Sequence, residues 1–149
     1  MDIDIKTVQI DILERFFKDL AWEDKRKVSI SAFKKAAKPL MARAKLLAPK
    51  KTGNLRDSIG MMMVPGQIAI LVGARKGGYG GNHGHLIENG TMERVRKSGG
   101  STGAGRANNF FERAYEQTYH ETYDSVADIW YAALEKKRAK TQKELNAAK

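Results

Sequence analysis

Cysteine is absent from the 149 residues, which excludes a disulfide framework, a thiolate metal site and cysteine nucleophile chemistry together. Proline is scarce, with 3 residues against 14 glycines, so the turns must be built largely on glycine. No stretch approaches the ~18 apolar residues of a membrane span, and no insertion is expected. The opening Met1-Asp2-Ile3-Asp4-Ile5-Lys6 is acidic and alternating instead of basic then apolar, so no export signal is expected either. What remains is 42% hydrophobic and 30% charged, a globular composition too apolar for a wholly disordered chain. The length suits one domain. A single domain is expected over residues 1–135, with flexible glycine-rich loops at 75–82 and 96–107 and a basic tail at 136–149.

The net charge of +10 is unevenly spread. Residues 25–56 hold eleven basic side chains and no acid, whereas residues 114–135 hold five acids and no lysine or arginine. Segregated charge sets partner choice. One reading is a surface that docks on copies of itself or on nucleic acid; the other is mutual neutralisation within one fold. Lys34, Lys38, Arg43 and Lys45 on the basic side, with Glu116, Glu121, Asp124 and Asp128 on the acidic side, are the interface candidates. The basic segment carries one aromatic, Phe33, too few for the base-stacking platforms of single-strand binders.

Periodicity predicts an α+β fold. Ile3, Ile5 and Val8 alternate as a short strand, and Ile12, Leu13, Phe16, Phe17 and Leu20 then recur at helical spacing. After a polar linker at 23–29, Ser29 or Ser31 is expected to cap a second helix with the stripe Phe33, Ala37, Leu40, Met41, Ala44 and Leu47. Pro39 either kinks that helix or lies in the first turn of one starting near Lys38; a single kinked helix is the expectation. It should stop before Pro49. Thr52-Gly53-Asn54 reads as a turn, and residues 57–74 read as a β-hairpin with a loop wider than two residues around Pro65-Gly66. A long last helix starts at Asn108 or Asn109, its stripe running through Phe111, Tyr115, Tyr119, Tyr123, Val126, Ile129, Trp130, Ala133 and Leu134. Beyond Leu134 the chain turns basic.

Candidate chemistry is sparse. His83, His85 and Glu88 could seed a metal site, but the histidines share a side only on a strand, and loop hydrogen bonding is the plainer role. Gly103-Ala104-Gly105 lacks the Gly-Lys-Ser/Thr ending of a phosphate loop. Met61-Met62-Met63 reads as core or interface packing, and no hydroxyl has the neighbours of a triad. No catalytic residue, metal ligand or cofactor is assigned.

Three pieces in order carry a resemblance: Ala48-Pro49-Lys50-Lys51-Thr52-Gly53-Asn54-Leu55-Arg56-Asp57-Ser58-Ile59, His85-Leu86-Ile87-Glu88-Asn89-Gly90-Thr91, and Phe110-Phe111-Glu112-Arg113-Ala114. Together they resemble the Hong Kong 97-type tail-component family of tailed bacteriophages, which includes relatives of the lambda minor tail protein Z, over roughly residues 3–134. The chain departs from the family pattern at Asn109, where proline is usual, at Asn89, where an aromatic is common, and in the long glycine-rich insert 96–107. The resemblance implies a structural virion protein made in the host cytoplasm, a hexameric ring at the neck that completes the tail tube and docks on the head connector. It implies partners in itself, the tail tube and the connector, weak contact with genomic DNA in the channel, and no membrane. The motif residues Pro49, Thr52, Gly53, Leu55, Arg56, Ser58, Ile59, His85, Glu88, Gly90, Thr91, Phe110 and Phe111 are then architectural. Leu55 and Ile59 are expected in the core, and Arg56 is expected to pair with Glu88, because both charges sit among apolar neighbours. A general nucleic-acid binder and a metal-dependent hydrolase are the competing readings.

Overall fold

The computed structural model describes residues 5–77 and 80–147. In chain order it has α1 (Ile5–Asp19), α2 (Trp22–Ala36), α3 (Lys38–Leu47), α4 (Asn54–Ser58), β1 (Ile59–Met63), β2 (Ile70–Ala74), α5 (Gly84–Asn89) and α6 (Phe110–Ala147). The strands form a two-stranded sheet. The class is α+β, with a small hairpin between helices and a long final helix. Two compact units are distinguished: a helical unit from the described parts of Met1–Ala37, Met63–Ile70 and Thr122–Lys149, and a motif unit from those of Lys38–Met62 and Leu71–Glu121.

The helical unit is held by small residues that let one large aromatic in. Ser29, Ala32 and Ala36 of α2 are buried at three- and four-residue spacing, and Leu13 of α1 and Leu134 of α6 are buried as well. The Trp130 ring meets Phe17 edge-on at 4.9 Å, and its indole N–H donates to Ser29 Oγ at 3.0 Å. The half-buried ring thereby has its polar tip satisfied. Lys137 pairs with Asp24 at 3.1 Å. Lys25 donates from Nζ to the Lys18 carbonyl at 3.0 Å, a cation at the negative end of α1.

Several expectations are corrected here. Ile5 and Val8 belong to α1, and Ile3 lies outside the described residues. Residues 23–29 are helical: α2 begins at Trp22, with Glu23 and Asp24 in its first turn, where acids complement the helix dipole. Ser29 is therefore a buried mid-helix acceptor rather than a cap. Instead of one kinked helix there are two. The amide of Ala37 still bonds Phe33, after which Lys38 starts α3 with Pro39 in its first turn, where a missing N–H leaves no bond broken. At the other end, α6 continues through Lys136–Lys140 to Ala147.

In the motif unit the buried cluster is Ala44, Ala48, Leu55, Ile59, Phe110 and Ala114, with Leu40, Met41, Leu47, Ala74, Ile87 and Phe111 packed on it. The stripe expected of the last helix is corrected too. In this unit α6 turns Phe110, Ala114 and Thr118 inward, while Tyr115 and Tyr119 are exposed. The four-residue step places the two sets on different faces. The strand expected right after the Thr52–Asn54 turn is instead the short helix α4, and β1 starts only at Ile59. The hairpin loop is wide, with Val64 N–H bonded to the Ala69 carbonyl and a turn at Pro65-Gly66 where Gly66 takes φ 70°. The glycine-rich stretch after Thr91 is cross-bonded by antiparallel bridges, Thr91 to Gly105 and Val95 to Ser101.

The Tyr131 hydroxyl donates to Glu14 at 3.3 Å. Desolvation first, then the Glu14 charge and hydrogen bond, raise its phenol above the usual 10.0. The protonated phenol's stabilising contribution is therefore complete below about pH 10 and is lost as pH rises through the folded value. An ultraviolet titration differenced against Tyr131→Phe should show ionisation above the ordinary tyrosine range, and Glu14→Gln should move it back down.

Candidate functional site

The first motif is a sequence of helix-end devices. After α3 stops ahead of Pro49, Gly53 takes φ 90°, a left-handed conformation that strains any residue with a side chain. The Asn54 amide donates to Thr52 Oγ1 at 3.4 Å, and the Asp57 amide to the Gly53 carbonyl at 3.0 Å, which starts α4. Leu55 and Ile59 lie in the core. The Ser58 hydroxyl donates to the Leu55 carbonyl at 2.6 Å, and the Ser58 carbonyl receives both the amide and the Nε of Arg75, at 3.0 and 3.1 Å.

Two glycines make that arrangement sterically possible. A Cβ on Gly60 would stand 2.8 Å from Arg75 Nε, and one on Gly81 would stand 2.3 Å from the Arg75 carbonyl. Arg75, Gly60 and Gly81 thus belong to the site although no sequence motif singled them out. A glycine inside a strand was the available signal, since it marks close approach of another group.

The second motif joins α5 to α6. Helix α6 begins at Phe110 with unpaired amides in its first turn. The Glu88 carboxylate accepts the Phe111 N–H at 2.9 Å and the Glu112 N–H at 3.0 Å, so an anion from another element caps the positive helix end. The backbone reinforces it: Asn108 N–H bonds the Ile87 carbonyl at 2.9 Å, and Asn109 N–H the Glu88 carbonyl at 3.1 Å. Thr91 exchanges two bonds with Gly105, its amide donating at 2.9 Å and its Oγ1 accepting at 2.8 Å. Gly90, at φ 75°, passes so near that a Cβ there would lie 2.6 Å from the Gly105 carbonyl. Glu88, Gly90 and Thr91 therefore clamp residues 105–112 onto α5.

The expected pairing of Arg56 with Glu88 is replaced by something else. Arg56 Nη2 donates to the Ala48 carbonyl at 3.2 Å, just past the end of α3, and Glu88 caps α6. Each charge meets a helix terminus of opposite sign, without the two being brought together; Arg56 Nε is buried and has no hydrogen-bond acceptor. His83 stands at the start of α5 and His85 one turn position on; both are exposed, and on a helix side chains two apart do not share a face. Among the described residues no three His, Cys, Asp or Glu side chains gather as a metal would need. Phe110 is buried and meets the ring of half-buried Phe111 edge-on at 6.3 Å.

The charged candidates divide between the units. Lys34 lies on α2, and exposed Asp124 and Asp128 on the part of α6 in the helical unit. Lys38, Arg43 and Lys45 lie on α3, and exposed Glu116 and Glu121 on the part of α6 in the motif unit. Arg43 Nε donates to Gln117 Oε1.

Asn109 is the one described non-glycine residue with positive φ, at 51°. Proline, locked near −65°, cannot take this conformation and has no amide for the Glu88 carbonyl. Asn109→Pro should therefore destabilise the chain by roughly 2–3 kcal/mol, whereas Asn109→Gly should be neutral or stabilising; urea unfolding measures both. Glu88→Ala should cost about 1–2 kcal/mol by removing the cap, and Glu88→Gln, which keeps one acceptor oxygen, should cost less in the same assay.

The HK97-gp10-like family model, that of the bacteriophage HK97 gp10 tail component, matches residues 11–90. The match contains the whole of the Thr52–Ile59 motif and runs to Gly90, stopping short of Thr91 and of the Phe110–Ala114 segment that these residues clamp. No curated protein and no solved structure gives a significant match. With more than half of its length inside the family model, the chain belongs to the HK97-gp10-like family of bacteriophage tail components.

Proposed function

We propose that this tail component is a structural protein of the virion neck, a hexameric ring at the head–tail junction that completes the tail tube and joins it to the connector, and that it catalyses no reaction. The observation that carries the reading is charge left uncompensated inside each unit. Lys34 makes no ion pair with Asp124 or Asp128 in the helical unit, and Lys38, Arg43 and Lys45 make none with Glu116 or Glu121 in the motif unit. A closed ring needs two different faces on each subunit, one meeting the other on the next copy. A basic face on residues 25–56 and an acidic face on residues 114–135 are of that kind, and their attraction guides register and association rate.

The same reading includes weak contact of basic loop residues with the genome in the channel, through its phosphates. Glu88, the one carboxylate of the His83 and His85 group, has its oxygens engaged by α6 amides, which supports architecture over hydrolysis.

Reversing Lys34→Glu and Lys38→Glu together should weaken ring assembly at low ionic strength, with the difference shrinking as salt rises. Light scattering and native mass spectrometry of the full chain, alone and with tail tube and connector, would measure it. An unchanged ring mass would overturn the charge-matched contact. Particles lacking the protein that still join heads to tails would overturn the neck assignment.

A further inference from the structure

One face of α2 carries a small groove of unusual make-up. Arg26, Lys27, Ile30, Ser31 and Lys34, which share that face by helical spacing, line a cavity of about 270 Å³ together with Met63. Its floor is apolar, with Ile30 buried, and its rim is cationic. None of the three cations has a carboxylate within 4.0 Å among the described residues. Arg26 Nε is out of contact with water and has no hydrogen-bond acceptor, a costly state for a guanidinium N–H. The volume lies below the ~300 Å³ at which cofactor and drug-sized sites begin, and suits a single side chain.

The complementary feature stands on α6. Tyr115 and Tyr119 are 50% and 40% exposed, their rings 5.3 Å apart, on a face that is not turned to the core. Glu112 and Glu116, both exposed, follow the same four-residue step beside them. The exposed ring surface beside these acids suits an apolar surface that carries cations, and a polyanion is repelled.

We infer that one tyrosine of the exposed Tyr115 and Tyr119 pair of one copy seats in the α2 groove of the next copy. A phenol ring lies on Ile30 and Met63, its face takes the Arg26 and Lys34 cations, and Glu112 and Glu116 reach Lys27, Lys34 and the idle Arg26 N–H. The contact joins unlike faces, so it propagates around a ring. Tyrosine and arginine are also the side chains that most often dominate the energy of such contacts. A phosphate would satisfy the cations but gains nothing from the apolar floor. The inference rests on the ring reading above and names the residues in contact.

Because the chain has no cysteine, the contact is testable by cross-linking. One tagged full-length copy carrying Ser31→Cys and one untagged copy carrying Tyr119→Cys are co-expressed and oxidised. The expected product is a mixed disulfide dimer of tagged and untagged chains, absent when Tyr119→Cys is replaced by the exposed control Thr102→Cys. Tyr115→Ala with Tyr119→Ala should weaken association about 30-fold, the size of an interface hot spot, while circular dichroism stays unchanged. Rings of normal mass without the mixed dimer would overturn this contact and leave the ring standing; a chain that forms no oligomer even with its tail and connector partners would overturn both. Duplex DNA binding lost in Arg26→Ala with Lys34→Ala, with assembly unaffected, would assign the groove to phosphate and also overturn the inference.

Discussion

The contact between the Glu88 carboxylate and the first amides of α6 is the constraint on which the motif unit depends. A helix of 38 residues has a positive N-terminus whose amides need acceptors, and here the acceptor is supplied by α5, a helix of six residues that has little stability of its own. Each element lacks something the other provides. The short helix is fixed by the backbone bonds from Asn108 and Asn109, and the long one gains an anion at its positive end. Phe110 is thereby delivered into the cluster with Leu55 and Ile59. Remove the carboxylate and the loss extends beyond two hydrogen bonds, because the position of Phe110 is set by where α6 begins.

The same logic explains the spacing of the motif residues better than pairwise attraction does. Arg56 and Glu88 carry opposite charge and sit in one unit, yet each serves a helix end. A buried pair would have had to overcome the desolvation of both ions. At a helix terminus the partner is a backbone group that is already present and already lacks a bond, as the Phe111 and Glu112 amides do for Glu88. The glycines complete the arrangement by making room: Gly60 and Gly81 for Arg75, Gly90 for the Gly105 carbonyl. They are required for proximity as much as for dihedral freedom.

Much of this was legible in the sequence because turn chemistry is local. The stop before Pro49, the turn at Gly53, the wide Pro65-Gly66 loop and the long last helix all follow from residues within a few positions of the feature. The start of α2 was hidden. Its buried side is Ser29, Ala32 and Ala36, small side chains that leave almost no hydrophobic stripe, and charged residues 23–27 read as linker although lysine, arginine and glutamate favour helix. The partner of Glu88 was hidden for a different reason. Backbone amides belong to every residue and leave no mark in composition, so side-chain charge alone points Glu88 to Arg56.

The tyrosines of α6 show where periodicity alone is ambiguous. Phe111, Tyr115, Tyr119 and Tyr123 continue at three- and four-residue steps into Val126, Trp130 and Leu134, and the pattern is read as one core-facing stripe. In the helical unit the stripe turns inward at Trp130 and Leu134, while Tyr123 is exposed; in the motif unit the inward residues are Phe110, Ala114 and Thr118. A helix that packs inside its own fold needs one apolar face. A helix that packs on its own fold and also meets another surface needs two, and the second must be tolerable in water before assembly. Tyrosine meets both conditions, since its ring supplies contact area and its hydroxyl stays hydrated. In the proposed contact, the aromatic composition of this exposed face and the acids beside it match the apolar floor and cationic rim of the α2 groove.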